Sequence, residues 1–212
     1  MKNSLRIKRL VGISSLAAVV VVLQLIATYM PKLPGGVTFT LALIPIVIGA
    51  ILYGPSGGAI LGAVMGVIVI VDPATLTVFM PHNPAATIIL CLLKTATAGA
   101  VSGLFFKLLH KKNLYVAVIL ATIVVPIINT TLFSLGAWLF FGDIYGGGSM
   151  SVIFVTILTA IWLNFIIEFA INVILAPIVL RIVRIVTKNY NIGCSFDLED
   201  EEIVEEAVLE NE

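Results

Sequence analysis

Charged side chains are scarce in this sequence. Of its 212 residues, 11% are charged and 60% are hydrophobic, whereas roughly a quarter of the residues in a soluble domain are charged. Its two cysteines and two histidines give neither a disulfide framework nor the ligand spacing of a metal site. A phosphate-cradling glycine loop, a zinc-protease motif and a nucleophile elbow are also absent. We therefore expect no ATP hydrolysis by the chain itself, no cofactor, no metal and no catalytic residue.

Long apolar runs fill most of the chain, from about Val11 to Val186. The bilayer core contains no water, so a chain that crosses it must satisfy its backbone hydrogen bonds within helices. The runs predict an all-α integral membrane protein with six transmembrane helices. The second and third are short against the roughly 20 residues that span a bilayer, so they need tilt or shielding. The approximate bounds are Leu10–Met30, Phe39–Leu52, Ala59–Val71, Ala85–Leu109, Tyr115–Phe141 and Val152–Val186.

Basic residues fall on one side of these predicted spans. They cluster before helix 1, between helices 4 and 5 and at the end of helix 6, whereas the opposite loops contain only Lys32. The positive-inside rule then predicts that both termini are cytoplasmic. We expect a multi-pass protein of the bacterial plasma membrane. Nine of the twelve acids lie in the last sixteen residues. We therefore expect a membrane domain over residues 1–190 and an acidic cytoplasmic tail over residues 191–212, disordered or a short helix.

Few polar side chains interrupt the last three predicted helices. Lys94 is the one base deep within a span and Glu168 is the one acid, and Asn164, Glu168 and Asn172 share a helix face. Ionisable groups inside membranes are paired or functional, so a structural Lys94–Glu168 pair and a ligand-binding role both stay open. Asn129 and Asn164 suit either helix joining or a polar ligand, because an amide donates and accepts hydrogen bonds.

Small residues are instead concentrated in the first three predicted helices. Ser14, Ala17 and Ala18 line part of helix 1, and Gly58 and Gly62 make a small-xxx-small pair in helix 3. Such residues let helix backbones approach closely in lipid. The close approach can occur within this chain or against another membrane subunit, and the spacing alone does not separate these alternatives.

An outward loop and a tryptophan complete the set of candidate residues. His82 and Asn83 lie between two prolines, and a loop stiffened in this way is compatible with a lid over a ligand. Trp162, close to Asn164 in sequence, packs in the core or stacks on a ring-shaped ligand.

Four segments occur in an order typical of a known family. They are the run Leu43–Pro55 with the glycines that follow it, the segment Pro126–Phe133, the segment Asn164–Glu168, and Lys94 with the small residues after it. Together they resemble the substrate-binding S components of energy-coupling factor (ECF) vitamin transporters, over roughly residues 10–186.

This resemblance implies a non-catalytic subunit that captures a vitamin or related micronutrient from outside. It implies docking of helices 1 to 3 on a transmembrane coupling subunit, itself carried by two ABC-type ATPases, with Ser14, Ala17 and Ala18 as the docking patch. The ligand would lie between helices 4, 5 and 6. The implied lining is Lys94, Asn129, Asn164 and Glu168, with residues 31–38 and 82–83 as gate candidates.

Substrate and alternatives stay open at this point. A carboxylate-bearing vitamin such as pantothenate suits Lys94, whereas riboflavin suits the amides and Trp162. The chief alternative is a structural six-span membrane protein of the MreD cell-shape type, which needs no ligand. An intramembrane enzyme ranks third, because the spans contain no nucleophile, metal set or acid–base pair.

Overall fold

The structure is a computed structural model that describes residues 2–30, 41–145 and 150–190. Within those ranges the chain is helical and contains no strand. A π-helical turn at Thr75–Phe79 and a 3-10 turn at Gly142–Tyr145 separate the longer helices. The gate candidate 31–38 and the acidic tail 191–212 lie outside the described residues. The helices are α1 (Lys2–Tyr29), α2 (Leu43–Ile70), α3 (Pro84–Leu109), α4 (Leu114–Phe140) and α5 (Met150–Tyr190).

Five helices in the described ranges are long and apolar enough to cross a membrane. The prediction of an all-α, multi-pass membrane protein is therefore confirmed. The described parts of the predicted helices 2 and 3 lie mainly in the one segment α2, so the count of six spans and the cytoplasmic termini stay predictions. The candidate spans are Arg6–Tyr29, Leu43–Ile70, Pro84–Leu109, Leu114–Phe140 and Asn164–Val186.

The backbone of α2 reverses direction at Gly54. This residue has φ 82° and ψ −176°, a combination that essentially only glycine adopts. A Cβ built on Gly57 would lie 3.1 Å from the carbonyl oxygen of Gly49, whereas eight positions along a straight helix span about 12 Å. Residues 43–53 and 55–70 are therefore two arms folded back on each other, which we call the first and second arms of α2.

Arg9 ties α1 to this reversal. Its guanidinium group donates hydrogen bonds to the carbonyl oxygen of Tyr53 at 3.1 Å and to the hydroxyl of Ser56 at 2.6 Å. The backbone of α3 also comes close here, because a Cβ on Gly103 would lie only 2.7 Å from the nitrogen of Pro55. The start of α1, the reversal of α2 and the end of α3 thus lie at one end of the bundle.

The same end holds the start of α4 and the end of α5. The guanidinium carbon of Arg184, near the end of α5, lies 4.4 Å from the ring centroid of Tyr115, near the start of α4. We call this the basic end, and the opposite one, where α2 ends and α3 begins, the far end. The basic end gathers Arg9, Lys107, Lys111, Lys112, Arg181 and Arg184.

Glycines of the second arm pack directly on the backbone of α3. A Cβ would lie 2.1 Å from the carbonyl oxygen of Thr95 if built on Gly62, and 2.3 Å from that of Gly99 if built on Gly58. These distances are far inside ordinary van der Waals contact, so only glycine fits. The structure therefore favours the within-chain alternative for the Gly58–Gly62 pair, and Gly66 continues the row one turn later.

The main apolar core joins all five helices, and a second apolar cluster lies at the far end around Leu90 and Phe141. The two differ in their surroundings, because the second cluster borders polar side chains of α3. It is there that the candidate site opens. Fully buried members of the main core include Val20, Ile46, Leu61, Phe106, Val118 and Val179.

Candidate binding site

A cavity of about 130 Å³ lies at the far end of the bundle. Its walls come from the end of the second arm of α2, the π-helical turn, the first half of α3 and the end of α4. Pockets for drug-sized ligands measure about 300–1,000 Å³, so this cavity suits a compact molecule. The lining residues are Val69, Thr75, Phe79, Thr87, Leu90, Cys91, Lys94, Phe133 and Phe141.

Lys94 supplies the charge in this cavity. Its side chain is half-buried, and its ammonium nitrogen lies 4.5 Å from the centroid of the Phe133 ring, inside the ~6 Å range of a cation–π contact. Among the described residues, this ammonium has no hydrogen-bond acceptor and no carboxylate at ion-pairing distance. An ammonium group has three donors, and a charge inside a membrane span calls for a partner.

Glu168 lies near Lys94 but forms no ion pair with it. The ionisable groups with an electrostatic effect on the ammonium are Cys91, Glu168 and Asp72. Glu168 is buried in α5, with 7% of its surface exposed. The carboxylate of Asp72 accepts a hydrogen bond from the backbone N–H of Ala74 at 2.9 Å, which holds it in the turn before the π-helical segment. Between Lys94 and Glu168, both described, the structure thus shows no direct ion pair.

Three phenylalanines form an aromatic wall beside the ammonium. The ring of Phe79 meets Phe133 edge to face at a centroid distance of 5.7 Å and meets Phe141 in the same way at 5.2 Å. Edge-to-face pairs contribute about 0.5–1.5 kcal/mol each beyond the burial of their area. The wall therefore joins the π-helical turn to Phe133 within α4 and to Phe141 directly after α4.

Asn83 caps the helix that carries Lys94. Its side-chain oxygen accepts a hydrogen bond from the backbone N–H of Ala86 at 3.0 Å, which satisfies one of the free donors at the start of α3. Its carbonyl oxygen accepts a hydrogen bond from the hydroxyl of Thr87 at 2.8 Å. The structure places Asn83 next to the lining residue Thr87, and its amide is not itself part of the described lining.

Asn129 lies close to the level of Lys94. Leu90 of α3 packs against Gly136 of α4, and the two helices are antiparallel neighbours, so Asn129 falls within one turn of Lys94 along the bundle. It shares a helix face with Phe133, four positions on. Its side-chain oxygen is buried and, in the part of the chain that the structure describes, lacks a hydrogen-bond donor.

α5 carries the remaining predicted contacts. Asn164 is half-buried, and the side-chain nitrogen of Asn172 donates a hydrogen bond to the backbone oxygen of Glu168 at 2.8 Å. Trp162 is 53% exposed. None of these four belongs to the described cavity lining. The cavity therefore lies among α2, α3 and α4, whereas the resemblance implies a site among the helices now called α3, α4 and α5.

The predicted docking patch lies on an open surface of α1. Ser14 and Ala18 are exposed, whereas Ala17 is half-buried and packs against the main core. The far side of α1, by contrast, is buried against the first arm, with Val20 fully covered. The arrangement leaves small side chains outward over at least one turn, and their use in docking stays a prediction.

The aromatic wall is the part of the site that sequence reasoning missed. Phe133 could have been found from its spacing, because it follows Asn129 by one helical turn. Phe79 gives no such signal, since its position depends on a π-helical turn in the stretch between the predicted helices 3 and 4. In the described residues, no group of three or more His, Cys, Asp or Glu side chains converges as metal ligands would.

Comparison with known families agrees with this architecture. The model of the family described as "ECF transporter, substrate-specific component" matches residues 8–180. The chain belongs to this family. ECF S components are substrate-binding, non-catalytic subunits of membrane transporters, so the S-component prediction is confirmed, and the structural alternative of the MreD type has no support. A search of the curated proteins and a search of the solved structures each found no match.

Proposed function

We propose that this S component captures a micronutrient of the vitamin class in the far-end cavity and delivers it inward as part of an ATP-driven importer. The observation that carries the proposal is the cavity itself, which combines one cation with an aromatic wall. The cavity lies opposite the basic end, and basic residues favour the cytoplasmic side. The far end then faces outward, and both termini are cytoplasmic in a bacterial cell membrane.

The proposed topology has six spans, with the two arms of α2 as separate short ones. The reversal at Gly54 supports it, because the turn lies beside Arg9 at the basic end and both arms extend from there towards the far end. Their short length is compatible with a membrane setting, since α1 covers the first arm and α3 covers the second.

The proposed partners are a transmembrane coupling subunit and two ABC-type ATPases. We propose that Ser14, Ala17 and Ala18 form the docking patch, which the outward position of Ser14 and Ala18 supports. Ala18→Trp is expected to reduce co-purification of the coupling subunit while ligand affinity is unchanged. Ile174→Trp, at a residue that is 71% exposed on α5, is the matched control. Equal co-purification of both variants at the wild-type yield would refute this patch.

Ligand titration tests the function itself. The purified full-length protein, in nanodiscs, is titrated with thiamin, riboflavin, nicotinate, pantothenate, biotin and folate. Saturable one-to-one binding of a vitamin is the expected result, and its absence for all six would contradict the proposal. Lys94 is the proposed contact that belongs to the described cavity lining. Asn129 lies outside that lining and is proposed because its buried side-chain oxygen lacks a donor among the described residues. Asn164, Glu168, Trp162 and Asn83 are proposed from the sequence. Asn164→Leu, in particular, is expected to abolish binding in a folded protein.

A further inference from the structure

We infer that the ligand is a compact carboxylate with an apolar or aromatic body, and that the Lys94 ammonium binds its carboxylate. This inference rests on the proposed function and adds the chemical class of the substrate to it. Lys94 is the charged member of the described cavity lining, and the other residues of that lining contribute apolar surface, hydroxyls and a thiol.

The Lys94 ammonium has hydrogen-bond donors that no described residue satisfies. The described residues give its ammonium an aromatic ring and no acceptor oxygen. A cation–π contact with a Phe ring leaves the N–H donors that point away from the ring free to bind an acceptor. A carboxylate is the acceptor that compensates both the charge and the donors, through charge-assisted hydrogen bonds.

The two neighbouring acids do not reverse this preference. Glu168 and Asp72 influence the ammonium, but neither lines the cavity, and the Asp72 carboxylate already accepts the Ala74 N–H. Coulomb energy falls with distance, so a ligand group inside the cavity meets the ammonium first. A cationic ligand would have to stand beside a like charge, and a neutral one would add no counter-charge inside the cavity itself.

The walls define the rest of the molecule. Phe133 lies directly under the ammonium, and Phe79 and Phe141 continue the aromatic surface away from it. The carboxylate must therefore be attached within a few bonds of a flat or apolar skeleton. The volume of about 130 Å³ restricts that skeleton to something close to one ring, because larger ligands need pockets of about 300 Å³ or more.

Acid and neutral pairs of the same shape test the charge directly. The probes are nicotinate against nicotinamide, pantothenate against pantothenol, and biotin against its amide, each titrated into the full-length protein in nanodiscs. We expect an acid to bind and its neutral partner to bind about 10- to 150-fold more weakly, the ratio that corresponds to a charge-assisted hydrogen bond. Compact nicotinate is the expected best binder of the three acids.

Variants then assign the effect to Lys94. Lys94→Met and Lys94→Gln are expected to lower affinity for the acid by the same factor and to remove the difference within the pair. Lys111→Met, at an exposed lysine of the basic end, is the matched control and is expected to bind like the wild type. Thermal unfolding of each variant shows whether it is folded. Lys94→Gln retains a polar group and takes the place of Lys94→Met if the Met variant does not fold.

The outcomes separate the two proposals. A neutral partner that binds as tightly as its acid, or an acid preference that survives in folded Lys94 variants, overturns the inference alone. Mass spectrometry of small molecules released from the wild-type protein, purified from bacterial membranes, covers ligands outside the probe set. Release of a carboxylate that the Lys94→Met protein does not retain supports the inference, and release of a neutral or cationic molecule overturns it. If the protein neither binds nor releases any small molecule, the proposed function is overturned as well.

Discussion

Adding a single methyl group at Gly62 is expected to destabilise the protein, although alanine is the better helix former. In Gly62→Ala the new Cβ would lie 2.1 Å from the carbonyl oxygen of Thr95, which is 1.3 Å short of the 3.4 Å at which ordinary contact begins. The atom in the way belongs to the backbone, so no side-chain rotation relieves the clash. The second arm and α3 must separate, and the contact between Gly58 and Gly99 opens with them.

The magnitude follows from two opposing effects. Overpacking of a well-packed interior costs typically 1–3 kcal/mol, and a clash with backbone belongs near the upper limit. Replacing glycine with alanine in a helix contributes about 1 kcal/mol in the other direction. The expected net loss in the free energy of unfolding is therefore about 1–2 kcal/mol.

Gly136→Ala is the matched control. Its new Cβ would meet the side chain of Leu90, with 2.3 Å to the nearest carbon atom, and a leucine side chain can move aside by leaving its preferred rotamer for about 0.5–1.5 kcal/mol. The helix propensity of alanine offsets that cost, so the net change is expected to be close to zero. SDS titration of the purified protein, followed by tryptophan fluorescence, measures both free energies of unfolding. If Gly62→Ala were as stable as Gly136→Ala, the close packing of the second arm on α3 would be refuted.

Two further substitutions test contacts near the two ends of the bundle. Asn83→Ala is expected to lower the free energy of unfolding by about 1 kcal/mol through loss of the cap of α3, whereas Asn83→Ser is expected to keep the cap. Loss of vitamin binding by the stable Ser variant would show that the Asn83 amide contacts ligand and is not only a cap. Arg9→Ala removes two hydrogen bonds at the reversal of α2 and is expected to lower the free energy of unfolding by about 1 kcal/mol, measured by the same SDS titration. Arg6→Ala, at an exposed arginine, is the control, and equal stability of the two variants would contradict the role of Arg9.

The sequence predicted those features that depend on composition and local pattern. The apolar runs located the helices, because a bilayer leaves the backbone no other solution. Gly54 and Pro55 marked the interruption between the predicted helices 2 and 3, and the structure has its reversal there. Lys94 was singled out because a base inside a span is rare, and it is the predicted site residue that lines the cavity.

Tertiary relationships were beyond the sequence. Glu168 and Lys94 were candidates for a direct pair, but the distance between α3 and α5 depends on packing that no spacing rule gives. Trp162 was a candidate for stacking, and only the structure shows that more than half of it is exposed. Phe79 was missed because its ring reaches Phe133 and Phe141 through a turn whose geometry is not encoded by any short motif.

The glycine row of the second arm has a mechanical consequence. Gly58, Gly62 and Gly66 bring the second arm and α3 into backbone contact, so the two helices form one stiff slab, and Val69 and Lys94 sit on it at a fixed separation. The opposite boundary of the cavity is carried by Phe79, which stands on five π-helical residues, and by the end of α4. We therefore expect any change in the width of the cavity to arise on the side of Phe79, where no backbone contact of this kind between described residues holds the wall in place.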